Sequence, residues 1–426
     1  MKRVLVAAML LLAGCATGST GGPSARDYRL FVEKMGSTGV SVVTTSAPAP
    51  VSLPGGFLTA DGSQLFSSGG QVFGGSAGST GVTVLNAYDT RSGAIARQLR
   101  LAGAWSWDGG GTSPDGRWVV LTGSHGFLVV DTTLGWQLAV NLDSRFSFDA
   151  LSNDGEQLYL IETLAGSGYQ VRLYDMFAKA LRPDAVAIKG PGVEAMSGFK
   201  ITSVPDSYGH MLYSLYGRND GYPPFVHALD LQNAVSYCID LPAIAAMSLS
   251  YLNADAAGWA LSLDESRHTL YASSPRGEVV AIDTNQNAVN RSAALSAPAP
   301  AGLLPPFIVN AAAKEFDGTP AASAVDPSGR WLYVAWDSGF LPVDTGTLRP
   351  AGLRDSGDHL SSLAVSPDGR HLFGVSIPNA LVDLDPQTGR RKATIGGLGA
   401  GGRRGEPDGE GAAHARSAFD PDGPAH

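Results

Sequence analysis

Two cysteines, eight histidines and a recurring set of aspartates carry the chemical reach of this 426-residue chain. Cys15 follows directly on an apolar run at 4–12. Its thiolate is a strong nucleophile and can take up an acyl-bearing group. Cys238, in AVSYCIDLP, then has no second thiol to pair with. The fold must therefore be held by its core, and Cys238 is expected to face that core as a small hydrophobe. Asp115, Asp154, Asp326, Asp368 and Asp420 sit in turns of the Pro-Asp-Gly kind. One carboxylate per turn falls short of the converging oxygens that calcium requires. Turn chemistry accounts for them instead, because proline presets φ, aspartate bonds its own backbone and glycine accepts positive φ. The histidines (His125, His210, His227, His268, His359, His371, His414 and His426) show no zinc-site spacing. The chain contains no GxxxxGK[ST] loop and no HExxH. No cofactor and no metal are expected.

The surroundings of Cys15 are more specific. Lys2 and Arg3 precede the apolar run, which is too short to span a bilayer as a helix and reads as an export signal. Leu12-Ala13-Gly14-Cys15 resembles the lipobox of bacterial lipoproteins. That resemblance implies a signal peptide at 1–14, removed when Cys15 is lipidated, and a flexible Gly/Ser-rich tether within 15–26. Two or more acyl chains would anchor the protein stably. The expected location is the cell membrane or outer membrane, lipid-anchored and facing outside the cytoplasm. The net charge of −9, with no Lys/Arg stripe, argues against nucleic-acid binding.

The elements that would position any site are repeats. Glycine is abundant at 54 residues and charged residues are scarce at 16%, a composition suited to turn-rich β architecture. A unit recurs: an apolar strand, an S/D-P-D/S-G turn, a strand with Leu-Tyr/Phe, a loop, and a strand ending in aspartate. Clear copies are TSPDGRWVVLTGSHGFLVVDT, AVDPSGRWLYVAWDSGFLPVDT and AVSPDGRHLFGVSIPNALVDLD. The closing aspartates are Asp89, Asp131, Asp175, Asp230, Asp283, Asp344 and Asp385. They should cap the amides of the turn that follows. Units of this size, with four antiparallel strands each, suit propeller blades. In RWLYVAW, Trp331, Tyr333 and Ala335 alternate with Leu332, Val334 and Trp336, so both faces are apolar, as blades packed between neighbours require.

Seven units are complete, and the termini hold pieces of another. Residues 27–53 follow the second to fourth strands, with Thr44 in the aspartate's place, and RSAFDPDG at 416–423 matches a first strand and its turn. The expectation is an all-β, eight-bladed propeller at 27–426, its last blade split between the termini; seven blades is the alternative. A closed ring removes exposed sheet edges. The repeat resembles the YVTN-type, YncE-like propellers, whose blades read roughly SPDG-x-x-LYV…V-x-VID-T. Such propellers serve as binding scaffolds, surface proteins and occasional enzymes, so function does not follow from the fold. Eight blades are also found in pyrroloquinoline-quinone dehydrogenases, but the recurrent tryptophan motif and adjacent cysteine pair of those enzymes are missing here.

Loops that join one blade to the next line one mouth of the ring and offer the candidate ligand face. Trp105, Trp107 and Asp108 stand beside a glycine run. The segment 296–320 contains Phe307, Phe316 and Asp317 and is the largest departure from the period. Asp355, Asp358 and His359 close the set. For the tryptophans, packing between blades is the favoured role. The function expected is a monomeric, membrane-anchored binding or scaffolding module for an envelope protein or small ligand. The alternatives are a hydrolase of the lactonase kind and a ligand or metal delivery protein for a transporter.

Overall fold

In the computed structural model, eight antiparallel sheets follow one another along the chain. The structure describes residues 8–13, 28–34, 39–46, 49–59, 61–69, 81–164, 168–186, 196–218, 223–242, 259–295, 322–376 and 380–397. Each sheet is a four-stranded meander, numbered here as blades I to VIII. Blade I holds Ala8–Ala13, Arg29–Lys34, Gly39–Thr44 and Val51–Pro54, and blade VIII runs from Leu360–Val365 to Arg391–Gly397. Blades IV and VII each gain a short extra strand on their third strand, Met196–Ser197 and Arg354–Asp355 respectively.

Alternation decides which seam each side chain enters. Leu332, Val334 and Trp336 pack with Tyr271, Val279 and Ala281 of blade VI. Tyr333 and Ala335 pack with Leu360, Leu372 and Val382 of blade VIII. The ring closes where Leu30, Val32 and Val43 of blade I meet Phe373, Val375 and Leu381 of blade VIII. The eight-bladed expectation therefore holds.

The turns account for the aspartates. The carboxylate of each of Asp89, Asp131, Asp175, Asp230, Asp283, Asp344 and Asp385 accepts amides of the turn that follows it. In the first turn of blade III, the Ser113 hydroxyl donates to Asp115 and accepts the Trp118 amide, and blades IV and VIII repeat this with Ser152–Asp154 and Ser366–Asp368. These turns are also stitched from blade to blade. The Asp115 amide donates to Asn153 at 2.9 Å, Asn153 donates to the Tyr208 carbonyl at 3.0 Å, and Ser207 donates to Glu265. Arg267 then reaches the Ser328 carbonyl at 3.1 Å and Thr345 at 2.9 Å.

Blade I differs from expectation in one position. Ala8–Ala13, not 416–423, pairs along the whole of Arg29–Lys34, from Ala8 opposite Lys34 to Ala13 opposite Arg29. An unpaired edge carries a row of open N–H and C=O groups, and six residues free of proline and charge can satisfy it. The segment 416–423 and Cys15 lie outside the described residues.

Candidate functional site

Because each blade is a meander, the turns after its first and third strands gather at one end of the ring, and the blade-to-blade loops gather at the other. A cavity of about 590 Å³ opens at the turn end. Its apolar wall includes Phe31, Leu58, Leu151, Leu212 and Leu231, and three carboxylates join them: Asp149, Asp206 and Glu265. Two of these are engaged by turns. Asp206 accepts the amides of His210 and Met211 at 2.7 and 3.1 Å, and Glu265 takes the amide and hydroxyl of Ser207. Asp149 is different. A bulge between Phe148 and Ala150 makes it the extra residue of the first strand of blade IV, a device that re-aims a side chain. Its Oδ1 lies 3.1 Å from Lys200 Nζ of blade V, while the buried Oδ2 has no hydrogen-bond partner. The volume lies within the range of small-molecule sites.

Beyond Asp149, toward the loop end, the seam between blades IV and V turns polar. Tyr169 of blade IV stacks on Tyr216 of blade V at 5.2 Å, and Tyr216 stacks on Phe225 at 5.3 Å. His227 meets the edge of Tyr216 at 6.2 Å and is only 1% exposed, with neither ring nitrogen hydrogen-bonded. The hydroxyls of Tyr169 and Tyr216 are buried and interact with each other across the seam. Burial raises both phenol pKa values and depresses that of the imidazole, the last opposed by the charge of Asp149. Cys238 stands directly across the strand pair from His227. It is half-buried rather than a core residue, and its sulfur lies 3.5 Å from that of Met196.

Those candidate loop residues that are described lie at the loop end, away from the cavity. Trp105 and Trp107 pack on the seam of blades II and III, as the favoured packing role requires. The Trp105 indole donates to the Ala102 carbonyl at 2.7 Å, and Trp107 meets Phe57 edge-on at 6.3 Å. The adjoining glycines serve close approach: a Cβ at Gly110 would meet the Val120 carbonyl at 2.0 Å, and one at Gly111 the Phe148 ring at 2.0 Å. Asp108 is exposed. Asp355 caps the Gly357 amide at 3.0 Å, and Asp358 is buried against Arg391 at 2.5 Å. His359 is exposed beside it, and Phe307, Phe316 and Asp317 lie outside the described residues. The loop residues thus include neither Asp149 nor the polar seam. Their only sequence signal is a histidine in the apolar strand FVHALD.

No family model matches the chain, and no curated protein matches it. Among solved structures it is similar to apo AztD from Citrobacter koseri, at 12% identity and a TM-score of 0.49, covering 88% of this chain and 96% of that one. It is also similar to dihydro-heme d1 dehydrogenase NirN, at 13% and 0.48, covering 86% and 72%. A third is BamB from Moraxella catarrhalis, at 15% and 0.43, covering 88% and 94%. At these identities the likeness concerns the fold alone. The class defined here is the eight-bladed β-propeller with mainly four-stranded blades.

Proposed function

We propose that the protein is an exported, lipid-anchored binding module whose YncE-like propeller presents its cavity and loops to an envelope partner or small ligand. The run Leu12-Ala13-Gly14-Cys15 behind a short apolar segment and Lys2-Arg3 carries the anchoring half of this reading. Replacing Cys15 with Ser should release the protein from the membrane fraction; unchanged retention would overturn the anchor. The binding half is supported by the cavity carboxylates. Asp206 and Glu265 already accept backbone amides, and Asp149 is ion-paired with Lys200, so they shape the site rather than stand ready as bases. Turnover across a panel of lactones that falls on Asp149→Asn would replace this reading with a hydrolase.

Export has a structural consequence for blade I. Cleavage before Cys15 removes Ala8–Ala13 and leaves the inner edge of Arg29–Lys34 open. The segment 416–423, with its first-strand-and-turn pattern, would take the vacated position. Deleting 416–426 should then lower the thermal midpoint of a chain beginning at residue 15 and leave the full-length chain almost unaffected. Equal effects on both would sink the exchange.

A further inference from the structure

We propose that Cys238, Met196 and His227 form a binding site for one soft monovalent metal ion, copper(I), at the loop end of the seam between blades IV and V. The donors come from three places in the chain. Met196 belongs to the short strand added to blade IV and pairs opposite Tyr169. Cys238 is on the fourth strand of blade V, and His227 faces it from the third. Directly opposed residues of an antiparallel pair share a face, with Cβ atoms roughly 5 Å apart. The imidazole and the thiol therefore project into the same seam.

The two sulfurs are 3.5 Å apart. Two sulfurs bound about 2.3 Å from a common ion are separated by roughly 3.8 Å at the tetrahedral angle, so a small relaxation admits the ion between them. His227 is the independent sign of a ligand. It is 1% exposed, and neither ring nitrogen has a hydrogen-bond partner, a costly arrangement unless something polar meets it. Burial keeps its imidazole neutral, the form that ligates metals.

A thiolate, a thioether and one imidazole suit copper(I). Zinc instead favours four ligands from Cys, His and carboxylates, and among the described residues no three His, Cys, Asp or Glu side chains gather into a metal-binding group. Near the donors stands the unpartnered Asp149 Oδ2, whose charge acts on His227 and which is a group of the kind that orients a ligating histidine. Met196 and Cys238 are both half-buried, which gives the ion a route in from the surface. On binding, the Cys238 thiol loses its proton to solvent and the copper remains in the +1 state. The site does not depend on the anchoring of Cys15.

The test uses the full chain carrying Cys15→Ser, so that Cys238 is its one thiol, reduced and held under nitrogen. Copper(I) is titrated against the chromophoric competitor bicinchoninate. One equivalent should be withdrawn from the competitor, and copper K-edge absorption should show both sulfur and nitrogen scatterers. Cys238→Ser should weaken binding by about 100-fold and Met196→Leu by about tenfold. His227→Gln should remove the nitrogen contribution. Should that variant fail to fold, Met196→Leu at a half-buried position decides the case. Binding below one equivalent, or affinity unchanged in Cys238→Ser, would overturn the site, leaving His227 hydrated by trapped water and the sulfur contact as packing.

Discussion

The strand Phe225–Asp230 of blade V sends Val226 and Ala228 toward blade VI, and Phe225, His227 and Leu229 toward blade IV. The seam with blade VI is apolar throughout its core, joining Tyr213, Leu215 and Ile239 to Leu270, Val280 and Ile282. The seam with blade IV is apolar only toward the turn end, where Tyr159, Val171 and Leu173 meet Leu229 and Leu231. Toward the loop end it holds an imidazole, two phenols, a carboxylate and two sulfurs. One strand period thus serves both a packing surface and a chemical one. Closure of the ring spreads stability over eight seams, and one of them can give up apolar burial for buried polar groups.

The largest expected effect lies on the apolar side. Leu270→Ala should cost about 2–5 kcal/mol in urea unfolding, because it leaves a cavity at a fully buried position. An undiminished midpoint would mean that the two seams do not differ as described. On the polar side the sign reverses. His227→Leu should stabilise the metal-free protein by about 1 kcal/mol, since it removes two buried nitrogens that lack hydrogen bonds.

The pH dependence sharpens the same contrast. The folded pKa of His227 lies below its ordinary value of 6.5, so the unfolded chain binds the proton more readily. Stability from this group is complete above about pH 6.5 and is lost as pH falls toward the folded pKa. The wild-type chain should therefore lose thermal stability between pH 6.5 and 5 relative to His227→Leu. Parallel curves would refute that assignment.

The seam of blades VIII and I supplies a carboxylate of opposite behaviour. Burial works against the Asp368 anion, yet hydrogen bonds from Ser366, the Arg370 amide and Tyr28 bring its pKa down to about 2. Its contribution is present above the ordinary 3.8 and disappears as pH falls through about 2. Asp368→Asn should cost about 1 kcal/mol at neutral pH and flatten acid unfolding. The smallest effect belongs to the exposed outer edge of blade IV. Arg182→Ala, which breaks a 3.3 Å pair with Asp175, should change stability by about 0.5 kcal/mol or less.

Much of this architecture was legible in the chain. The recurring turn and closing aspartate encode hydrogen bonds within a few residues, so Asp89 through Asp385 reveal their role from local sequence. The strict alternation of RWLYVAW likewise assigns Leu332 and Tyr333 to opposite seams without reference to any neighbour. What local sequence determined was therefore the blade, its turns and the number of blades. Tertiary structure alone decided what each seam contains. Met196, His227 and Cys238 share no motif; strand pairing within blade V sets His227 opposite Cys238, and only the docking of blade IV brings Met196 to them. The bulge that turns Asp149 toward Lys200 and the pairing of Ala8–Ala13 with Arg29–Lys34 are of the same kind. Alternation says which face a side chain takes, but the chemistry of a face depends on what another blade sets against it.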